Sequence, residues 1–171
     1  MAGPDGRARP LCTMVFSNSI MQALQQQTVG QEYAVAALTR AITLALSGKN
    51  NRNGALCVLL FVGTPGSGKT HMARVLARAL LGNERKLIVV NCQQFEQRPD
   101  LLPAFESQLA IEFWQSQMAP PFGPQPFRII VFENIDKAPV LLRDHLATAL
   151  DRGAVYMRGA VFSLRNTFVI F

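Results

Sequence analysis

An α/β sandwich around a mostly parallel sheet is the fold this sequence predicts, and three observations predict it. Three apolar runs, Leu56–Val62, Leu87–Val90 and Phe127–Phe132, lack any alternation of polar and apolar residues. Strands of that kind are buried on both faces, as a parallel sheet covered by helices requires. Helical patterns separate the runs, so strands and helices alternate along the chain. The first run also feeds into a glycine-rich turn, Gly63 to Gly68. Ligands of such sheets sit beyond the carboxyl ends of the strands.

Residues 1–11 carry three charges, two prolines and two glycines without periodicity and read as a loose arm. Ser17 or Ser19 is expected to cap a short helix ending near Gln27. Residues 1–27 are thus an arm with a short helix, and 28–171 form the principal domain. Gly30 breaks the chain before a stronger helix, in which Val35, Leu38, Ile42 and Leu46 share one face and Gly48 supplies the stop. Lys49 to Gly54 is a polar loop. After the glycine-rich turn a helix begins near Lys69, carries Met72, Val75, Leu76, Ala79 and Leu80 on one stripe, and stops at Gly82.

The second strand follows and ends at Asn91-Cys92. A helix is predicted over Leu101–Met118, with Phe105, Phe113 and Trp114 read as core rather than as a platform for a ligand. Ala119 to Phe127 holds four prolines and reads as a loop. Pro139 opens another helix in the favoured first-turn position, running to about Asp151. A short ribbon and a last strand, Thr167–Phe171, complete the pattern.

Composition bounds the function. At 171 residues the chain has the size of one domain, and 49% hydrophobic with 16% charged residues excludes wholesale disorder. No apolar run approaches the roughly 18 residues that a membrane helix needs. The opening Met1–Arg7 lacks an apolar core of the secretory kind, so a cytoplasmic protein is expected. Cys57 lies inside an apolar run and reads as a small buried hydrophobe. The two histidines, His71 and His145, are far apart, which disfavours zinc and leaves a hard, oxygen-bound cation as the metal to expect. The net charge of +6 suits polyanions, but the basic residues are dispersed. Without a basic stripe or a reading helix, nucleic acid is a disfavoured partner.

Gly63-Thr64-Pro65-Gly66-Ser67-Gly68-Lys69-Thr70 fits the pattern GxxxxGK[ST] between a buried strand and an amphipathic helix. Glycines let the backbone turn tightly, so that successive N–H groups face an anion. The helix that follows adds its positive dipole end. Lys69 is placed to neutralise β and γ phosphates, and the Thr70 hydroxyl to ligate Mg²⁺. A nucleotide cradle is the reading.

Such a cradle needs an acidic partner on a neighbouring strand, and Phe127–Phe132 ends in one, Glu133. Its carboxylate would hold Mg²⁺ through water, and a following acid would activate the attacking water. Asn134 stands in that following position, and an amide cannot accept a proton from water.

With these segments in place, the chain resembles the Clp-type chaperone branch of the AAA+ ATPases, particularly the second ATPase module; torsins share the architecture and fit less well. Thr28-Val29-Gly30-Gln31-Glu32-Tyr33-Ala34-Val35 is similar to the family's adenine-side segment, and Phe132-Glu133-Asn134-Ile135-Asp136-Lys137-Ala138 to its "FDEIEKA". Phe61-Val62-Gly63 to Thr70 and Arg165-Asn166-Thr167 extend the likeness over residues 28–171. The resemblance implies a P-loop NTPase sandwich of three layers, here the large subdomain without the helical lid. It implies adenine contacts near Val29 and Gly30, phosphate contacts from Gly66, Gly68, Lys69 and Thr70, and Mg²⁺ at Thr70 with Glu133. His71 would lie near the nucleotide, with a surface or packing role equally open to it.

Departures from the family pattern bear on activity. The Walker B Asp is Glu133 and the catalytic Glu is Asn134. No aromatic residue flanked by glycines, the loop that grips polypeptide in the family, occurs between Cys92 and Arg128; Ala119-Pro120-Pro121-Phe122-Gly123 lies after the predicted helix rather than before it. Sensors, arginine finger and lid are expected beyond Phe171. Three functions follow: ATP binding with weak or absent hydrolysis, completed by other AAA+ subunits; a nucleotide-dependent interaction module; and, least supported, nucleic-acid handling. Chaperone-type remodelling enters through the resemblance alone.

Overall fold

The computed structural model describes residues 10–28, 30–47, 54–118, 127–157 and 160–171. Helix α1 (Pro10–Gln27) and helix α2 (Glu32–Leu46) precede strand β1 (Cys57–Leu59). Helix α3 (Lys69–Leu81), strand β2 (Ile88–Asn91), helix α4 (Leu101–Met118), strand β3 (Arg128–Glu133) and helix α5 (Val140–Arg152) alternate after it. Strands β4 (Ala154–Met157) and β5 (Ala160–Ser163) pair antiparallel as a ribbon, and β6 (Thr167–Ile170) returns to the main sheet. That sheet is parallel throughout, in the order β1-β6-β3-β2.

Strand side chains alternate between faces, and the two cores follow that period. Val89, Ile129, Val131, Phe168 and Ile170 pack with α1, α2 and α3, whereas Ile88, Val90, Ile130, Phe132 and Val169 pack with α4, α5 and the ribbon. This is the three-layer sandwich. Helix α3 ends as its sequence dictates: Gly82 takes the left-handed conformation (φ +74°) and its N–H caps the carbonyl of Arg78. Pro139 stands as the N-cap of α5 rather than inside its first turn.

Three expectations are corrected. The first helix starts at Pro10, not at a serine cap, so Ser17 and Ser19 lie inside it. A proline is tolerated in a helix's first turn, where its missing N–H has no intrahelical role. Ile20 and Leu24 of this helix are fully buried in the first core, so it is packed structure.

Strand β1 is not buried on both faces: Cys57 and Leu59 lie against the first core, but Val58, Leu60 and Val62 are 50%, 68% and 85% exposed. Among the described residues β1 pairs with β6 alone, and no helix covers its other face. Within α4, Phe105 is core and Phe113 half-buried, but Trp114 is exposed. Phe113 meets Phe162 edge-on at 4.7 Å and Arg128 lies over both rings, which pins the ribbon to the end of α4. The expected stop at Gly48, the loop at 49–53 and the proline-rich stretch with Ala119–Gly123 lie outside the described residues.

Candidate nucleotide-binding site

The turn between β1 and α3 owes its shape to glycine. Gly66 (φ +82°) and Gly68 (φ +89°) occupy the left-handed region, which side chains with a Cβ enter at a cost of roughly 1–2 kcal/mol. Gly63 lies close to the turn's own side chains: a Cβ there would stand 2.7 Å from Ser67 Oγ, and the serine hydroxyl would have to shift. Thr64 and Pro65 complete the bend, closed by Ser67 N–H donating to the Thr64 carbonyl at 3.2 Å.

Gly68 is the N-cap of α3 and has no side chain to satisfy the helix's first N–H groups, so these remain directed at whatever sits over the turn. Lys69 spans the same space, its ammonium donating to the carbonyls of Gly63 (2.7 Å) and Thr64 (2.9 Å).

Thr70, on the first turn of α3, donates from Oγ1 to Glu133 Oε1 at 2.5 Å across 63 residues of sequence. The end of β3 and the start of α3 therefore converge on one hydroxyl–carboxylate pair. Hydroxyl and carboxylate oxygens are the hard donors that suit Mg²⁺. Among the described residues no group of three or more His, Cys, Asp or Glu could hold a metal, so the other positions of such an ion would fall to phosphate and water. Residues and group fit each other.

Asn134 adopts φ +54°, the one described residue other than glycine in the left-handed region, which asparagine enters more readily than most. Its Nδ2 donates to Asn91 Oδ1 at 3.0 Å. The position that would carry a proton-accepting carboxylate thus carries an amide bound to the end of β2.

The adenine contacts expected near Val29 and Gly30 fall on the link between α1 and α2. Val29 lies outside the described residues. Gly30 takes φ +71° and is exposed. Gln31 reaches from its Nε2 to the Ser67 carbonyl at 3.4 Å. A cleft of ≈ 680 Å³ opens beside the cradle, lined by Gly63, Lys69, Gln31, Ala34, Ala37 and Leu60 among others. His71 is exposed and turns toward α1, its Nε2 2.9 Å from the Gln27 carbonyl oxygen. Gln27, Arg78, Asn91 and Gln31 were not marked as site residues by sequence; only Gln31, inside the family-like segment, carried a signal.

Fold and cradle together define the class: a P-loop NTPase sandwich with its phosphate loop between the first strand and the following helix. Residues 55–171 match the family described as AAA domain (Cdc48 subfamily), and the chain belongs to that family. Its relatives are Clp and Hsp104 chaperones. It is 28% identical over 152 residues to "Chaperone protein ClpB 2" of Thermosynechococcus vestitus, covering 87% of this chain and 17% of that protein. It is 27% identical over 153 residues to "Heat shock protein 104" of Schizosaccharomyces pombe, with the same 87% and 17% coverage.

The fold matches the solved S. cerevisiae Hsp104-ADP complex with a TM-score of 0.72 at 23% identity, over 92% of this chain and 28% of that one. The chain therefore spans about a sixth of the curated relatives named here (17% of their length). No helix among the described residues is long and apolar enough to cross a membrane.

Proposed function

We propose that this AAA module binds ATP with Mg²⁺ and hydrolyses it weakly or not at all on its own. The observation that carries the reading is the Thr70–Glu133 hydrogen bond at 2.5 Å beside a glycine cradle ending in Lys69. In the bound state the N–H groups of residues 66–70 and the ammonium of Lys69 would hold the phosphates, and Thr70 with Glu133 would hold Mg²⁺. That ion supplies positive charge that neutralises the phosphate oxygens. The base would lie toward Val29 and Gly30, beside the cleft along α2. The Hsp104 relative of like fold is an ADP complex, which supports a nucleotide here.

Weak turnover rests on Asn134. A side-chain amide cannot take a proton from water, and loss of a general base lowers a rate roughly 10²–10⁴-fold. Binding without turnover also suits the second reading, a module whose nucleotide state is read by other AAA+ subunits. The relatives are named chaperones, and chaperone-type remodelling by this chain would need such an assembly. A cytoplasmic setting is part of the same proposal, and nucleic acid is not a favoured partner.

Titration calorimetry with Mg·ATP tests the binding: the chain gives a saturable heat and Lys69→Ala gives none. Equal heats for both would remove the proposal. In a phosphate-release assay the unaltered chain stays near background and Asn134→Glu raises turnover on the order of 10²-fold. Ordinary turnover without the substitution would refute the weak-hydrolysis part alone. Sedimentation with and without ATP tests the assembly.

A further inference from the structure

Strand β1 presents an open edge. Phe171, just past β6, accepts from the Phe61 N–H and donates to the Leu59 carbonyl. Alternate residues of a strand direct their backbone groups to opposite sides, so the N–H and C=O of Val58 and Leu60 point away from β6. Among the described residues no second strand meets them. Sheet edges are ordinarily blunted by a lysine, a proline, a bulge or a covering element. Leu56–Val62 contains no charge and no proline, and its outward side chains Val58, Leu60 and Val62 are exposed.

Helix α2 flanks the same edge. Val35, Leu38, Ile42 and Ala45 are its buried stripe, yet the helix stays apolar beyond it. At 3.6 residues per turn Tyr33, Ala37 and Leu44 fall on one line. Tyr33 and Leu44 are exposed. Ala34, Ala37 and Ala41 line the ≈ 680 Å³ cleft from the helix, and Leu60 and Val62 line it from the strand. An open backbone row and an apolar cleft therefore run along one strand.

We propose that this edge is a docking site for an extended, apolar segment of another polypeptide, which adds to β1 as a strand and lays alternate side chains in the cleft beside α2. The surface is a function beyond nucleotide binding. Main-chain pairing supplies the attraction and the cleft selects the side chains. The backbone row demands a strand, since only a strand offers N–H and C=O groups at the spacing of a sheet. The cleft on one side and Val58 with Leu60 on the other demand that it be apolar on both faces. A second copy docked through its own β1 does not meet that demand: its Cys57 and Leu59 are already packed in its own core and cannot fill the cleft.

The probe is a fluorescent peptide of five valines between lysine pairs, titrated into the full chain and followed by anisotropy. Saturable binding is expected. Proline in place of the central valine removes a strand donor and weakens binding about fivefold. Leu60→Lys and Ala37→Arg alter exposed positions, and each weakens it about tenfold by setting a charge against an apolar strand. Thermal unfolding is the folding control. In the unaltered chain the peptide slows hydrogen exchange at the Val58 and Leu60 amides, which keeps the test decisive if a variant does not fold.

No saturable binding, equal binding of the proline peptide, unchanged affinity in the folded variants, or unchanged exchange at Val58 and Leu60 would each overturn the inference. So would a dimer in sedimentation that Leu60→Lys splits, because the occupant would then be a second copy. No arm contains nucleotide, so the ATP reading is judged separately by the Lys69→Ala calorimetry.

Discussion

Strands β1 and β3 both deliver the chain into the site, and as sequence they are nearly the same object. Each is a short apolar run closed by a functional residue. In the fold they are held differently. β3 lies between β2 and β6, and Ile129–Phe132 are buried alternately in the two cores. β1 has β6 as its one neighbour among the described residues, and its outward side chains are half exposed or more.

Glu133 is consequently placed by packing on both sides of its strand. The cradle depends more on hydrogen bonds: Phe61 N–H to the Phe171 carbonyl (2.7 Å), Phe171 N–H to the Leu59 carbonyl (2.9 Å), and Lys69 within the turn. An apolar run reports hydrophobicity, not the number of neighbours a strand will have.

The largest expected difference is in stability. Ile130→Ala removes a side chain with no exposure from the middle of β3, and a cavity of that kind costs about 2–5 kcal/mol. Leu60→Ala trims a side chain that is two-thirds exposed and should change stability by less than about 0.5 kcal/mol. Urea unfolding of the two variants measures both. A comparable loss in Leu60→Ala would mean that the outer face of β1 is covered in solution and that the contrast between the strands is false.

Why one strand was legible and the other was not is a matter of what local sequence encodes. Helix α4 spans Leu101–Met118, about where the sequence places it, because the proline-rich stretch that follows is a local boundary signal. The turn at 63–68 was legible because Gly66 and Gly68 meet backbone requirements that few other residues satisfy. Exposure of Val58 and Leu60 depends on which strand lies beside β1, a topological fact with no local trace. The start of α1 is hidden for a related reason: a proline that can open a helix suits a loose arm equally well. The contact between α3 and the end of α1 is hidden too, since His71 reaches the Gln27 backbone carbonyl across 44 residues and no periodicity reports such a bond.

A second contrast sets two of the left-handed positions against each other, Gly66 in the cradle and Asn134 after β3. Gly66→Ala meets no heavy atom within 4 Å, so its cost is backbone strain alone, about 1–2 kcal/mol. Asn134→Gly moves in the opposite sense. It relieves a φ of +54° but gives up the 3.0 Å bond to Asn91, and the two effects should leave stability within about 0.5 kcal/mol of the parent chain. Denaturation midpoints at constant m-value decide it. A loss above 1 kcal/mol in Asn134→Gly would show that the amide pair, rather than the packing of β3, holds this end of the strand.

An effect confined to alkaline pH separates the cysteines. Cys92, just past β2, has no exposure, and burial pushes its thiol from the ordinary 9.0 up to about 12. Cys57 on β1 is half-buried and is raised for the same reason. A buried neutral thiol ionises later than the same thiol in the unfolded chain. Between pH 9 and 12 the unfolded state therefore binds fewer protons, and stability falls as pH rises.

The contribution is whole below pH 9 and should have fallen by on the order of 1 kcal/mol at pH 10. Lys86, which burial lowers, acts in the opposite sense over its own window. It titrates in both proteins, so subtracting the Cys92→Ala curve from that of the parent chain isolates the thiol. Stability curves that stay parallel from pH 8 to 10 would place Cys92 in contact with solvent, and the interior around β2 and β3 would be less closed than its packing indicates.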